Sequence, residues 1–262
     1  MENFRAALDE ARRLPDAQAE PALRELLREH PDLAPDEEGS LRYALALVLM
    51  RQNRNAEACG MLESALPLLD GNDAGRALAV TALARAELAC GNLEKSLDAG
   101  KKALPLLHAA LSPDDARLAP SVFSLSFAEY EARRLDRAEA LCLEAKELWE
   151  KQRGPESLEV STCLNNLGRI YEEMGREEEG IARHRDALAI RRKVLGDHLE
   201  TAFSMGNLGT ALASAGKWRE AAAMLEEAIA CYARCGHVEG RDIEGYRRNL
   251  NVCNDALARG ES

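Results

Sequence analysis

The stretch "LNNLGRIYEEMG" (164–175) decides the fold, because the chain writes it more than once. Forty-one residues on stands "MGNLGTALASAG" (205–216). Forty-two after that, "RRNLNVCNDAL" (247–257) keeps Asn-Leu and replaces the glycine by Asn251. The same register runs backwards through the chain. Small residues at Ala46, Ala84, Ser126, Gly168 and Gly209 are spaced by 38, 42, 42 and 41, and each follows a leucine. Twelve residues beyond them lie Ala58, Ser96, Ala138, Gly180 and Ala221, and seven further Ala65, Ala103, Ala145, Ala187 and Ala228. Three columns kept in register over five units are a repeat, not a consequence of an alanine-rich composition.

Between the first and second columns sits a break: Asn53, Gly91, Arg133, Gly175 and Gly216. Glycine and asparagine tolerate the left-handed backbone that ends helices. Arg133 does not, and a less regular turn is expected there. Each unit therefore reads as helix, tight turn, helix, with the small residues where backbones cross closely.

Composition agrees. The 262 residues are rich in Ala, Leu, Glu and Arg and contain only 4% aromatics, which favours helix. The formal charge of −11 argues against a general nucleic-acid or anionic-membrane surface, which requires a basic face. No apolar run approaches the roughly 18 residues that span a bilayer. The start "MENFRAALDEARRLPD" is charged and amphipathic, unlike a secretory leader. Seven cysteines, an odd number scattered through helical patterns, suit reduced thiols and a cytoplasmic location.

On these residues the chain resembles the tetratricopeptide repeat family, in the long variant of about 42 residues found in kinesin light chains and bacterial regulators. In "LNNLGRIYEEMGREEEGIARHRDALAIRRKVLGDHLETA" (164–202), Leu167, Gly168, Tyr171, Gly175, Ala187 and Leu188 match the family framework directly. Gly180 stands where alanine is usual, and Leu199 follows His198 where proline is usual. The resemblance implies an all-α fold, an α-solenoid of antiparallel helix pairs wound as a right-handed superhelix. One domain over 1–262 is expected. It opens with a degenerate pair (1–36), continues with repeats at 37–76, 77–118, 119–160, 161–201 and 202–241, and closes with a capping helix (242–262). Stacking is what buries the apolar faces, so stability sums over neighbouring repeats. Pro67 and Pro105 should kink or end their helices, at about 3 kcal/mol each. Pro31 should stop its helix, and Pro113, Pro120 and Pro155 should lie in linkers.

Signatures of catalysis are absent: no G-x-G-x-x-G, Walker loop, H-E-x-x-H or G-x-S-x-G. The expectation is a protein without enzymatic activity or cofactor. His184, on the inner face of a second helix, reads as a packed, hydrogen-bonded residue. Cys231, Cys235, His237 and Cys253 carry zinc-type ligand atoms. They lack a C-x2-C knuckle, and cysteine is a common small filler in such helices, so no metal site is expected. The carboxylates of "YEEMGREEEG" read as a solvated face.

In the family the first helices line the concave surface that holds peptides. Carrying the register through, the groove residues are Tyr43, Arg85, Phe123, Phe127, Tyr130, Asn165, Arg169, Phe203 and Arg248. Five of the eleven aromatic residues fall on such positions, where ring and arginine anchors carry binding. Chaperone adaptors of the family clamp a terminal carboxylate with lysine and asparagine; no groove lysine accompanies Asn165 and Arg169. An extended peptide with apolar and some acidic side chains fits better. The expected function is a scaffold for a peptide or helix of a partner protein, with no nucleic-acid or membrane partner. The alternative is a self-associating oligomer.

Overall fold

The computed structural model describes residues 2–261, apart from the side chains of Glu2, Asn3 and Arg5. Thirteen α helices and one 3-10 turn make up its regular structure, with no strand among the described residues. This is the all-α helical-repeat class expected from the sequence. The chain forms two compact units, Met1–Arg134 and Leu135–Ser262.

In the first unit α1 (Glu2–Arg13) and α2 (Asp16–Glu29) form a hairpin. It is followed by α3 (Pro35–Arg51), α4 (Asn55–Ala65), the 3-10 turn Leu66–Leu69, α5 (Asp73–Ala89), α6 (Leu93–Ala110) and α7 (Leu118–Glu131). Successive helices pack on one another, and α5 also packs on α7. In the second unit α8 (Leu135–Arg153) packs on α9 (Leu158–Glu173). Then come α10 (Glu177–Leu195), α11 (Leu199–Ser214), α12 (Trp218–Arg234) and α13 (Arg241–Ala258), a single helix seated on α11 and α12.

All fifteen small framework residues are buried. The space they leave is filled by a neighbour in each case that can be measured. Ser96 Oγ donates to Ala84 O at 2.7 Å, so the two columns touch across the α5–α6 hairpin. Gly180 meets Gly168 the same way across α9–α10: a Cβ on Gly180 would lie 3.0 Å from Gly168 O. Large aliphatics surround these crossings. Leu41, Leu45, Leu49 and Leu62 are fully buried in the first unit, and Ile181, Leu212 and Leu225 nearly so in the second. Each contributes about 1.5–3 kcal/mol of burial.

The turns correct one expectation. Arg133 takes φ 59, next to Asn53 at 61, Gly91 at 80, Gly175 at 74 and Gly216 at 72. Its turn is as regular as the others. The amide after each of these residues donates to the carbonyl five positions back: Arg54 to Leu49, Asn92 to Glu87, Arg134 to Glu129, Arg176 to Tyr171 and Lys217 to Leu212, all at 2.8–2.9 Å. These bonds satisfy carbonyls that a helix end leaves open. They hold Arg133 in a conformation that costs a residue with a Cβ about 1–2 kcal/mol.

The prolines divide. α4 ends at Ala65, and Pro67 sits in the 3-10 turn. α6, by contrast, runs through Pro105 to Ala110. Proline removes one ladder bond there, while buried Ala103 and Leu107 pin the helix on both sides. Pro120 lies in the first turn of α7, not in a linker. The first turn has no carbonyl waiting for its N–H, so proline is tolerated there.

Candidate functional site

In the first unit the expected residues gather along the seam of α5 and α7. Positions 81, 85 and 88 of α5 and 120, 124, 127 and 131 of α7 recur at helical spacing, so each set forms one stripe. The N-terminal half of the seam holds a pocket of about 240 Å3, lined by Tyr43, Thr81, Arg85, Arg117, Pro120 and Ser124 among others. The hydroxyls of Thr81, Ser121 and Ser124 donate to backbone carbonyls of their own helices. Arg117 is gripped by Asp115, whose oxygens lie 2.9 and 2.7 Å from its nitrogens. This guanidinium, with the Arg117 backbone N–H, holds the Asp115 carboxyl at about 2. The Arg85 guanidinium and the Tyr43 hydroxyl have no acceptor among the described residues and remain as donors. Burial pushes the Tyr43 phenol up, opposed by the guanidiniums of Arg85, Arg12 and Arg117.

The C-terminal half of the same seam is apolar. A hollow of about 490 Å3 is lined by Leu88, Gly91, Leu93, Phe127 and Glu131. Phe127 is 37% exposed, the ring of Phe123 meets it edge-on with centroids 5.1 Å apart, and Phe123 and Tyr130 are half-buried. The structure thus brings Tyr43, Arg85, Phe123 and Phe127 to neighbouring positions on one seam.

In the second unit Arg169 on α9, Phe203 on α11 and Arg248 on α13 are exposed. Asn165 is a correction. It is 5% exposed, and its amide does not face an open groove. The Nδ2 of Asn165 donates to Ser204 Oγ at 2.8 Å, and its Oδ1 lies 3.1 Å from Nδ1 of His184. His184, 1% exposed, reaches Glu172 Oε1 through Nε2 at 2.8 Å. On the other side of Ser204, Arg191 donates to Ser204 Oγ at 2.9 Å, Ser161 Oγ at 3.0 Å, Thr162 Oγ1 at 3.2 Å and Glu200 O at 3.0 Å. Its nearest carboxylate oxygen, on Glu200, is 3.8 Å away. Burial lowers the affinity of this guanidinium for its proton. A polar chain therefore runs Glu172–His184–Asn165–Ser204–Arg191 through the joint of α9, α10 and α11. It is a structural network, and it consumes the asparagine that the register assigned to a ligand.

Sequence reasoning missed Arg191, which reads in "AIRRKVL" as one more solvated cation. The available signal was the hydroxyls of Ser161 and Ser204 on otherwise apolar stripes. Of the repeated asparagines, Asn166 acts within its own helix, donating to Thr162 O at 3.2 Å, while Asn249 of α13 donates across to Thr210 Oγ1 of α11 at 3.1 Å.

Cys231 and Cys253 are buried, Cys235 is half-buried and His237 is exposed. Among the described residues no group of three or more His, Cys, Asp or Glu could hold a metal ion. No helix of the described residues is long and apolar enough to cross a membrane.

A fold of tandem helical hairpins with crossings of small residues defines a helical-repeat protein. Comparison with known proteins agrees over part of the chain: the tetratricopeptide repeat model matches residues 118–193 and 170–234. Residues 118–234 therefore carry tetratricopeptide repeats. The fold of the chain is shared by BtubC (BKLC) from P. vanneervenii, at TM-score 0.71 and 20% identity over 91% of this chain and 94% of that one. A kinesin-light-chain array of nearly identical TPR-like repeats from Podosopora anserina aligns at TM-score 0.67 and 21% identity, over 77% of this chain and 97% of that one. A Rap protein complexed with competence and sporulation factor aligns at TM-score 0.64 and 15% identity, over 92% and 69%. No curated protein matches the chain.

Proposed function

We propose that this chain is a non-catalytic scaffold that holds an extended segment of a partner protein against its first helices, with the strongest purchase on the α5–α7 seam. The observation that carries the reading is the pairing of two unsatisfied donors, on Arg85 and Tyr43, with the exposed Phe127 hollow on the same seam. The donors suit a carboxylate, and the hollow suits an aliphatic or aromatic side chain. The two features lie about seven residues apart along the helices, roughly 10 Å. Side chains three residues apart in an extended segment have that reach. Arginine and aromatic anchors of this kind dominate interface energetics. Taken by itself, the second unit offers Arg169, Phe203 and Arg248 as its own candidate contact residues. That a Rap protein of the same fold is found complexed with a factor supports a binding role. Seven free cysteines support a reducing, cytoplasmic setting.

A random peptide library displayed against the chain tests this. Sequences with Asp or Glu three residues from an aromatic or aliphatic residue should enrich on the natural protein and fail to enrich on Arg85→Ala. Enrichment that is indifferent to both Arg85→Ala and Phe127→Ala would refute the reading.

A further inference from the structure

The outer face of the N-terminal hairpin has a chemistry unlike the α5–α7 seam. Between α1 and α2 runs an open groove of about 270 Å3. Its floor is apolar: Ala7, Ala11, Leu14, Ala22 and Leu26. Its rim is Glu10, Glu25 and Glu29. All three are exposed, and none has an ion-pair partner among the described residues. The contrast within α2 is sharp. Asp16 pairs with Arg51 at 2.7 Å, and Glu20 pairs with Arg24 at 2.9 Å and Arg54 at 2.7 Å. The inward carboxylates of this helix are neutralised by the protein, and the outward ones are not.

The second unit shows what fills such a face. There α13, a single amphipathic helix, lies on the α11–α12 hairpin. Tyr246 covers the small residue Gly206 so closely that a Cβ would fall 2.0 Å from its Cζ. Ile243, Cys253 and Ala256 bury the rest of the apolar stripe. Small residues on a hairpin face admit a large side chain from one crossing helix. Ala7, Ala11 and Ala22 are such residues on α1–α2, and no helix among the described residues covers their outer groove.

We infer that this groove docks an amphipathic helix of a partner protein whose apolar ridge is flanked by lysines or arginines. The ridge would enter between Leu14 and Leu26 as Tyr246 enters over Gly206. The cations would meet Glu10, Glu25 and Glu29, the complement that the protein itself does not provide. The match of sign also sets orientation and excludes acidic helices. This surface is separate from the α5–α7 seam and does not depend on that reading.

The test uses two stapled 18-residue helices with one apolar ridge, flanked in one by Lys and Arg and in the other by Glu. Binding to the full chain is read by fluorescence anisotropy at 150 mM salt. The basic helix should bind at least tenfold more tightly than the acidic one. Glu10→Gln/Glu25→Gln/Glu29→Gln should weaken it at least tenfold, and Ala22→Trp, which fills the floor, should do the same. Glu94→Gln/Asp98→Asn, exposed acids on α6, should change it less than twofold, as should Phe127→Ala. Equal affinity for the two helices overturns the proposal. So does equal loss from the α6 variant, which would mean nonspecific attraction to an acidic protein. Light scattering that shows the groove closed by a second copy, with dimers lost in the triple variant, also overturns it.

Discussion

Gly168 of α9 lies directly beneath the imidazole of His184 of α10: a Cβ at Gly168 would stand 2.5 Å from His184 Nε2. The ring cannot retreat, because its two nitrogens are held by Asn165 and Glu172 and its side chain is 1% exposed. Gly168→Ala should therefore destabilise the protein by about 1–3 kcal/mol, the usual range for overpacking a filled core. Urea denaturation followed by circular dichroism measures it. A loss below about 0.5 kcal/mol would show that the α9–α10 crossing is looser than described. Gly206→Ala, which faces the ring of Tyr246, tests the same principle at α13.

Arg191 is a cation held by neutral oxygens. Removing it takes a donor from the Ser161 hydroxyl and the Glu200 carbonyl and leaves Ser204 Oγ with Asn165 alone. Replacement by Met keeps much of the volume but none of the bonds. Unfolding free energy should fall by about 2–4 kcal/mol for Arg191→Met. Arg191→Lys should recover little, since one ammonium cannot reach four acceptors on two helices. Equal stability of Arg191→Met and the natural protein would mean that the network contributes nothing net.

Backbone conformation alone is at stake in the turn after α9. Gly175 has φ 74, and no atom lies within 4 Å of the place its Cβ would take. Gly175→Ala should cost about 1–2 kcal/mol from left-handed strain with no clash. Gly175→Asn should cost less, as Asn53 occupies the equivalent turn at φ 61. Thermal melts of the two variants check the order; the reverse order would contradict the account.

Asp115 sets the charge of the pocket beside Arg85. Its carboxyl is lowered from 3.8 to about 2, first by the side chain of Arg117. With a depressed native value, the pairing is present above about pH 4 and lost as pH falls towards 2. Carboxyl carbon chemical shifts should follow that titration. Asp115→Asn releases the Arg117 guanidinium into the pocket, and an acidic segment should bind several-fold more tightly to that variant. Weaker binding would mean that Asp115 is needed to present Arg117.

The sequence carried the hairpins because a crossing of helices needs small residues at fixed intervals, and those intervals survive as Gly168, Gly180 and Ala187. It carried the turns except at Arg133, where the five-back amide bond imposes a conformation that the residue type does not advertise. It could not show the fate of Asn165. The repeat register fixes which way a residue points along its own helix, but the partners that enclose it, His184 and Ser204, come from neighbouring helices. Arg191 was hidden for the same reason: a lone arginine in a charged stretch looks solvated until Ser161, Thr162 and Ser204 surround it. The Arg85–Phe127 seam was legible only as two stripes, since the pocket between them exists only once α5 and α7 pack.

The proposed working surface is the α5–α7 seam. Isothermal titration of an enriched acidic-apolar segment into the natural protein, Arg85→Ala and Phe127→Ala, with melting curves alongside, tests it most directly. Each substitution should weaken binding at least tenfold, about 1.4 kcal/mol or more, while stability changes by no more than about 1 kcal/mol. Undiminished binding to both variants, or binding lost only in step with unfolding, would contradict the account.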